Sequence, residues 1–480
     1  MKSPKNPGST SFDADIVIIG SGGGLAAAVA AAENGAKVIV LEKRKVFGGN
    51  TAMARALMAA ESPVQKRLRI DARKEDLFKA SMSFSHWKIN PEIIRAFINK
   101  SGDTIGWLEG LGVKFQDVPN AYFNQVPRIY HLPEGYGAAL TRALAERCRE
   151  LGVALMKETP AKKILVRKGK GVTGVLATAE NKDLKISAKS VIVATGGYSG
   201  NKELLKKYCP QYTEDAHVHG IPHMGDGLIM ATEAGAASEG LGNLLSMGPF
   251  FTGSVQVGVV SVEANVIWMN KRGERFADES THIPSESANA LDRQPDKVSY
   301  SLFDETIKES FIDEGLIRGH HRLYPPGSKI TEIDKHLQKE VQEGRVKMAD
   351  SWEAIARWMG ADPRKLTDNI QVYNNCCERG FDDLFYKDRR YLQPLRKPPY
   401  YALLCHQAFH GTTGGIKINE HMEVIDEEDK AIPGLFAAGN DTGGWSADTY
   451  NYVHTGTAFG YAINSGRIAG ENAATYVLGK

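Results

Sequence analysis

Gly20-Ser21-Gly22-Gly23-Gly24 and the acidic Glu42, 22 positions after Gly20, are the first residues whose types and spacing suggest a chemistry. Glycine lets a backbone come close to a pyrophosphate. A helix that begins at such a turn offers free N–H groups and the positive end of its dipole to the phosphate charge. An acid some twenty residues on, at the end of the next strand, is placed to accept ribose hydroxyls. The third glycine of the G-x-G-x-x-G pattern falls on Leu25, so either the loop is one residue short or Gly24 takes that place. His217, His219 and His223 form a second conspicuous group, but no carboxylate or thiol stands at ligand spacing beside them, and no metal site is expected.

The elements around the glycines fit a nucleotide-binding reading. Ile16-Val17-Ile18-Ile19 is a short apolar, β-branched run, the mark of a buried parallel strand. An Ala-rich helix over 25–34 follows, ending at Gly35, and Lys37 to Leu41 reads as the second strand of a βαβ unit. A further strand, Ser190 to Val193, leads into Ala194-Thr195-Gly196-Gly197, with Gly225-Asp226-Gly227 beyond it. Gly135 to Leu151 reads as an amphipathic helix, followed by a strand over 153–156 and a hairpin through Gly171 to Val175. Between Asn243 and about Pro399 the glycine rhythm stops and the chain becomes charged and helical, with periodic segments at Trp352–Met359 and Leu366–Glu378. The glycines return in Ile432 to Asn440 and Gly443-Gly444, ahead of a helix-like segment through Gly470.

With 480 residues, 42% hydrophobic and 24% charged, the chain can bury two or three cores, and a net charge of +2 gives no general attraction to nucleic acid or anionic lipid. Five irregularly spaced cysteines argue for a reducing, cytoplasmic setting, and no Cys-x-x-Cys-His motif signals a c-type haem. Residues 1–12 read as a flexible tail rather than a signal peptide. The uncharged run Ile16 to Ala32 reaches the low end of membrane-spanning length, but its glycine cluster reads as a turn, so no span is expected.

Taken in order, the glycine turn with Glu42, the loop Gly48-Gly49-Asn50-Thr51, the Ala194 to Asp226 motifs and the C-terminal glycines resemble the fumarate reductase and succinate dehydrogenase flavoprotein superfamily. That superfamily also holds 3-ketosteroid dehydrogenases and urocanate reductases, and the resemblance covers roughly residues 13–243 and 400–478. It implies an α/β fold: a Rossmann-like FAD-binding domain in two parts, 13–243 and 400–480, with an inserted α+β capping domain over 244–399. The implied cofactor contacts begin with Gly20, Gly22, Gly23, Gly24, Glu42 and Lys43 around the ADP half. Gly49 belongs to the same set, and the resemblance places Asn50 and Thr51 beside the isoalloxazine. Ala161 stands near adenine, and Ala194, Thr195, Gly196, Asp226, Gly439, Asn440, Gly456 and Ala458 complete the set. Covalent members attach flavin through a histidine just after the Gly48–Thr51 loop; residues 43–60 contain none, so non-covalent FAD is expected.

The resemblance also frames the substrate end. Dicarboxylate members carry an arginine proton donor after an Arg-Phe-x-x-Glu signature, a Thr-Glu pair and a second arginine. Here Arg275-Phe276-Ala277-Asp278-Glu279 is present, but the donor position is Ile283, Gly258-Val259 replaces the pair, and Trp445 to Tyr452 contains no arginine. Steroid-type members read Tyr-x-x-x-Gly before the last helix, matched by Tyr452 and Gly456, whose hydroxyl and N–H would polarise a ketone. His282 is the nearest titratable substitute for the missing donor, and His410 matches a substrate-site histidine before Gly414-Gly415. Tyr452 also reads as a core tyrosine, and Arg128, Tyr130 and His131 read either as the substrate mouth or as a surface loop. The expectation is an FAD-dependent oxidoreductase acting on CH–CH bonds, reducing or forming a C=C bond conjugated to a carbonyl in a small, cyclic, hydrophobic substrate. Alternatives are a reductase of an unsaturated carboxylate and a non-catalytic flavin-binding redox protein. A separate electron donor or acceptor is implied.

Overall fold

The computed structural model describes residues 10–119, 128–167, 169–281, 283–319 and 323–479. They divide into two compact units: Met1–Pro210, Gly220–Leu245 and His410–Lys480 in one, Gln211–His219 and Ser246–Phe409 in the other.

The first unit is built on a six-stranded sheet ordered Glu423–Ile425, Ala431–Ala437, Ser190–Val193, Ile16–Ile19, Val38–Leu41, Ala154–Met156. All neighbours pair parallel except the Glu423–Ile425 edge. Strands covered on both faces must be apolar throughout, and the Ile16–Ile19, Val38–Leu41 and Ser190–Val193 strands are buried at every position. The helix Gly23–Glu33 packs along the C-terminal helix Thr457–Leu478 at a separation only glycine allows. A Cβ on Gly466 would stand 2.2 Å from the Gly23 carbonyl oxygen, and one on Gly470 would stand 2.3 Å from that of Ala27.

A four-stranded sheet in the same unit runs Thr10–Asp13, Lys182–Ser187, Gly171–Ala179, Ala161–Arg167. Thr10, Ser11 and Phe12 are therefore paired strand, parallel to Leu184 to Ile186, and not part of a tail reaching residue 12. Alternation of apolar and polar side chains was too short there to signal a strand. The expected helix at Gly135 to Leu151 is Tyr136–Glu150, capped by those two residues.

In the second unit a sheet ordered His217–Val218, Tyr400–Thr412, Val298–Asp304, Ile267–Met269 is surrounded by helices that include Trp352–Met359 and Pro363–Arg379. Residues 400–409 belong here, beyond the boundary read at 399, because Tyr400 to His406 pairs antiparallel with Val298–Asp304. The core gathers Trp268, Phe303, Phe311 and Tyr373. The Arg-Phe-x-x-Glu signature forms a buried charge knot beside it. Arg275 donates to Glu279 at 2.9 Å and to Asp382 at 3.0 Å, and the Lys387 ammonium lies 3.1 Å from Glu279. Although burial pushes the Glu279 carboxyl up, the Lys387 and Arg275 charges hold it below its ordinary value. Among the described residues no helix is long and apolar enough to cross a membrane.

Candidate functional site

Every residue of the expected cofactor set lies in the first unit. Gly20 leaves the Ile16–Ile19 strand at φ +95°, where a Cβ would stand 2.2 Å from the Ala194 carbonyl oxygen, so the turn requires glycine. Gly22 caps the helix with no side-chain acceptor, which leaves the first-turn N–H groups for a ligand. A Cβ on Gly22 would lie 3.0 Å from the Thr51 hydroxyl, which brings the first glycine turn against the Gly48–Thr51 loop. Gly24 packs on Ile18 and Ala194, the close helix–strand approach that the third glycine of the pattern provides, so the alternative in which Gly24 substitutes holds. Gly23 serves packing: its Cβ would meet the Ala462 carbonyl oxygen at 2.4 Å.

Glu42 ends the Val38–Leu41 strand buried. Its carboxylate accepts from the Ser21 hydroxyl and, at 2.9 Å, from the Arg44 N–H, while the Gly48 N–H donates to Ser21 Oγ at 2.9 Å. Ser21 thus ties the turn, the acid and the second loop together. Thr159 N–H donates to the Glu42 carbonyl at 3.0 Å, which places Ala161 close by. Lys43 and Asp226 form an ion pair with each other at 2.5 Å. The Asn50 amide is clamped to Ile221, accepting its N–H at 2.8 Å and donating to its carbonyl at 3.3 Å. Gly49 lies near His223, a buried imidazole pushed down to about 4 by burial and by the Lys43 and Arg44 charges.

The loops after the Ser190–Val193 and Ala431–Ala437 strands are fastened by Asp441. Its buried carboxylate accepts from the N–H groups of Thr195, Gly196 at 3.0 Å and Gly197 at 2.9 Å, and from the Thr195 hydroxyl at 2.9 Å. Beside it, Gly439 donates to Ser465 at 2.9 Å, and Asn440 approaches Gly411, next to His410. The glycine rhythm marked this loop as important, but nothing in its sequence singles out Asp441 over Asn440.

At the N-terminus of the Thr457–Leu478 helix the side chains form an aromatic wall. Trp445 stacks on Tyr461 with ring centres 4.6 Å apart, and Tyr450 meets Tyr452 edge-to-face at 4.7 Å. Tyr452 is buried. Gly456 caps the helix at φ +88°, and its carbonyl accepts from Met58 at 3.0 Å. The expected flavin contact at Ala458 is already engaged, since its N–H donates to the Tyr450 hydroxyl at 2.9 Å, a partner that spacing alone did not reveal. His454, pushed down to about 4 by burial, bonds Ser81 at 2.9 Å.

The three residues read as a substrate mouth separate. His131 is fully buried between the Ser62 hydroxyl at 2.6 Å and the Ile129 carbonyl at 2.9 Å, which makes it structural. Tyr130 is buried and pushed up to about 12, and Arg128 pairs with Asp117 at 2.8 Å. His282 lies outside the described residues. His217 stacks on Phe250 at 4.9 Å in the second unit, whereas His223 belongs to the first, so the histidines read as one group divide.

These residues fit FAD by their own chemistry: an uncapped helix start beside a glycine turn, a buried acid at the ribose position, and glycine loops at the ends of neighbouring parallel strands. Comparison with known proteins agrees. The chain matches the family described as FAD binding domain over residues 15–453. It is 32% identical to the vinyl phenol reductase of Lactiplantibacillus plantarum, over 96% of each chain. It is 30% identical to the fumarate reductase (cytochrome) of Shewanella frigidimarina, over 96% of this chain and 77% of that protein. Among solved structures, a 3-ketosteroid-Δ4-(5α)-dehydrogenase from Rhodococcus jostii shares the fold with a TM-score of 0.75 at 24% identity, covering 96% of this chain and 97% of the other. The chain therefore belongs to the FAD binding domain family, within the fumarate reductase and succinate dehydrogenase flavoprotein superfamily, and is an FAD-dependent oxidoreductase acting on CH–CH bonds.

Proposed function

We propose that the protein reduces a C=C bond conjugated to an oxygen-bearing π system, an enone or a phenol, in a small, apolar, cyclic or aromatic substrate. The observation that carries this reading is the wall of Trp445, Tyr450, Tyr452 and Tyr461 leading to the Gly456 turn, in a stretch without arginine or lysine. A dicarboxylate buried there without cations would cost several kcal/mol, about 3–5 for an unpaired buried charge. A neutral aromatic or cyclic substrate brings no such charge and carries no such cost. The 32% identity to a protein named vinyl phenol reductase supports the same class.

FAD, held non-covalently in the glycine loops, would supply the hydride when bound and reduced. The Tyr452 hydroxyl and the Gly456 N–H hold the substrate oxygen; for an enone, negative charge spreading onto the carbonyl oxygen as hydride adds at the β-carbon meets donors already in place. The alkene gains one hydride and one proton, a reduction that takes two electrons. A separate protein, quinone or diffusible carrier restores them. His410 and His282 are the candidates for handling the proton.

Turnover of a reduced-flavin preparation against 4-vinylphenol, a cyclic enone and fumarate tests the reading. Oxidation by an oxygen-conjugated alkene, with fumarate slow, is expected. Rapid oxidation by fumarate, or by none of the panel, contradicts it.

A further inference from the structure

Among its described residues the first unit buries His131, His223 and His454, and they differ in what holds their rings. His131 is held by the Ser62 hydroxyl at 2.6 Å and the Ile129 carbonyl at 2.9 Å, and His454 by the Ser81 hydroxyl at 2.9 Å. No described residue makes a hydrogen bond to the His223 ring. Its backbone is fixed instead: the N–H donates to the Ser199 hydroxyl at 3.3 Å, and the carbonyl accepts from the Gly200 N–H at 2.6 Å. Burial, and after it the Lys43 and Arg44 charges, keep the imidazole neutral, so one ring nitrogen carries a proton to donate. Asp226, the carboxylate whose charge reaches the ring, is engaged by Lys43 at 2.5 Å. Buried polar groups find partners in the protein, in ordered water or in a bound molecule, and the place of this ring decides among them.

Two glycine loops hold the ring, and each also borders the glycine turn that opens the Gly23–Glu33 helix. On one side, a Cβ on Gly196 would stand 2.9 Å from His223 Nε2 and 3.0 Å from Cδ2 and Cε1. The same loop meets the turn through the Ala194 carbonyl oxygen, 2.2 Å from where a Gly20 Cβ would be. On the other side, a Cβ on Gly49 would stand 3.8 Å from His223 Cε1, and the neighbouring Gly48 carbonyl oxygen lies 3.8 Å from where a Gly22 Cβ would be. The ring is thus flanked by the two loops that border the uncapped helix start, the end of the cofactor site suited to an anion. The superfamily resemblance implies Lys43 at the ADP half and Asn50 beside the isoalloxazine, and Gly49 comes between them in the chain. The part of FAD between those halves that needs donors is the pyrophosphate, which offers only acceptor oxygens and carries the negative charge.

We infer that His223 is a further cofactor-binding residue, outside the set that the glycine motifs mark, and that its ring N–H donates to the FAD pyrophosphate. The inference concerns the cofactor alone, so it stands or falls apart from the substrate class.

Two substitutions separate the hydrogen bond from packing: His223→Phe keeps a ring without nitrogens, and His223→Gln keeps a donor without a ring. Release of FAD from the full-length holoprotein on dilution, followed by flavin fluorescence, measures affinity. ADP and riboflavin, offered separately to the flavin-stripped full-length chain, locate the contact. His223→Phe is expected to weaken FAD and ADP by about 10- to 100-fold and riboflavin by less than about twofold, with His223→Gln recovering most of the loss. FAD affinity in His223→Phe equal to wild type overturns the inference, because the ring then only packs or binds water. Loss of riboflavin binding with ADP unchanged also overturns it, since the ring then serves the isoalloxazine. Should His223→Phe fail to fold, the wild-type ring reports directly: in protein carrying ¹⁵N-histidine, ADP is expected to shift the ring nitrogen signals that vanish in His223→Gln. Ring signals that ADP leaves unmoved overturn the inference.

Discussion

Replacing Asp441 with alanine removes the acceptor that holds two loops of the first unit together. Four donors lose their partner at once: the N–H groups of Thr195, Gly196 and Gly197, and the Thr195 hydroxyl. Each buried donor left unsatisfied costs about 1–3 kcal/mol. Water entering the space vacated by the carboxylate relieves part of that, and the Thr195 hydroxyl, which also accepts from the Gly227 N–H at 3.0 Å, can turn. The net loss expected is about 3–5 kcal/mol, as for a buried network broken on one side. Asp441→Asn keeps a single acceptor oxygen and is expected to lose roughly half as much. Because the loops freed are those beside the expected cofactor contacts Ala194 to Gly196 and Gly439, FAD occupancy should fall with stability. Urea unfolding midpoints and the flavin-to-protein absorbance ratio of the purified variants measure both. An Asp441→Ala protein within about 0.5 kcal/mol of wild type and fully loaded with FAD refutes the reasoning.

Glu42→Ala and Gly22→Val are each expected to lose FAD from a folded chain, the first by removing the buried acid, the second by pushing a branched side chain onto the Thr51 hydroxyl 3.0 Å from its Cβ; flavin content and circular dichroism check this. Acid-precipitated protein should release its flavin into the supernatant, since residues 43–60 offer no histidine for attachment, and a yellow pellet speaks against that. Tyr452→Phe should slow oxidation of reduced flavin by an enone or vinylphenol on the order of 100-fold while FAD binding stays near wild type, as measured by stopped-flow absorbance. Burial pushes His131, His223 and His454 down to about 4 from 6.5, so their neutral forms stabilise the fold above about pH 6.5. That stability is lost as pH falls from there towards 4, by about 1.4 kcal/mol per pH unit for each histidine, and urea midpoints at a series of pH values follow it.

Much of the fold was legible because it rests on local signals. The run Ile16 to Ile19, the glycine turn and the Ala-rich helix announce a βαβ unit, and each has its expected place in the structure. The helix Trp352–Met359 was visible through its periodic apolar face, and Pro363–Arg379 was visible over Leu366–Glu378, while the Ser351 and Asp362 caps that start them went unread. What could not be read depends on pairing across long stretches of chain. Asp441 meets residues some 245 positions away, and the Tyr450 hydroxyl reaches Ala458 only because the chain between them turns back. His131 showed the reverse: read as a substrate mouth or a surface loop, it is buried by folding between Ser62 and Ile129.

The most direct test of the account is anaerobic oxidation of the photoreduced, FAD-loaded protein by 4-vinylphenol set against fumarate, with flavin absorbance and product formation followed together. The account predicts that 4-vinylphenol, or another alkene conjugated to a ring or carbonyl oxygen, reoxidises one flavin per alkene reduced while fumarate leaves the flavin reduced. Faster oxidation by fumarate, or a flavin that stays reduced with every conjugated alkene offered, contradicts it.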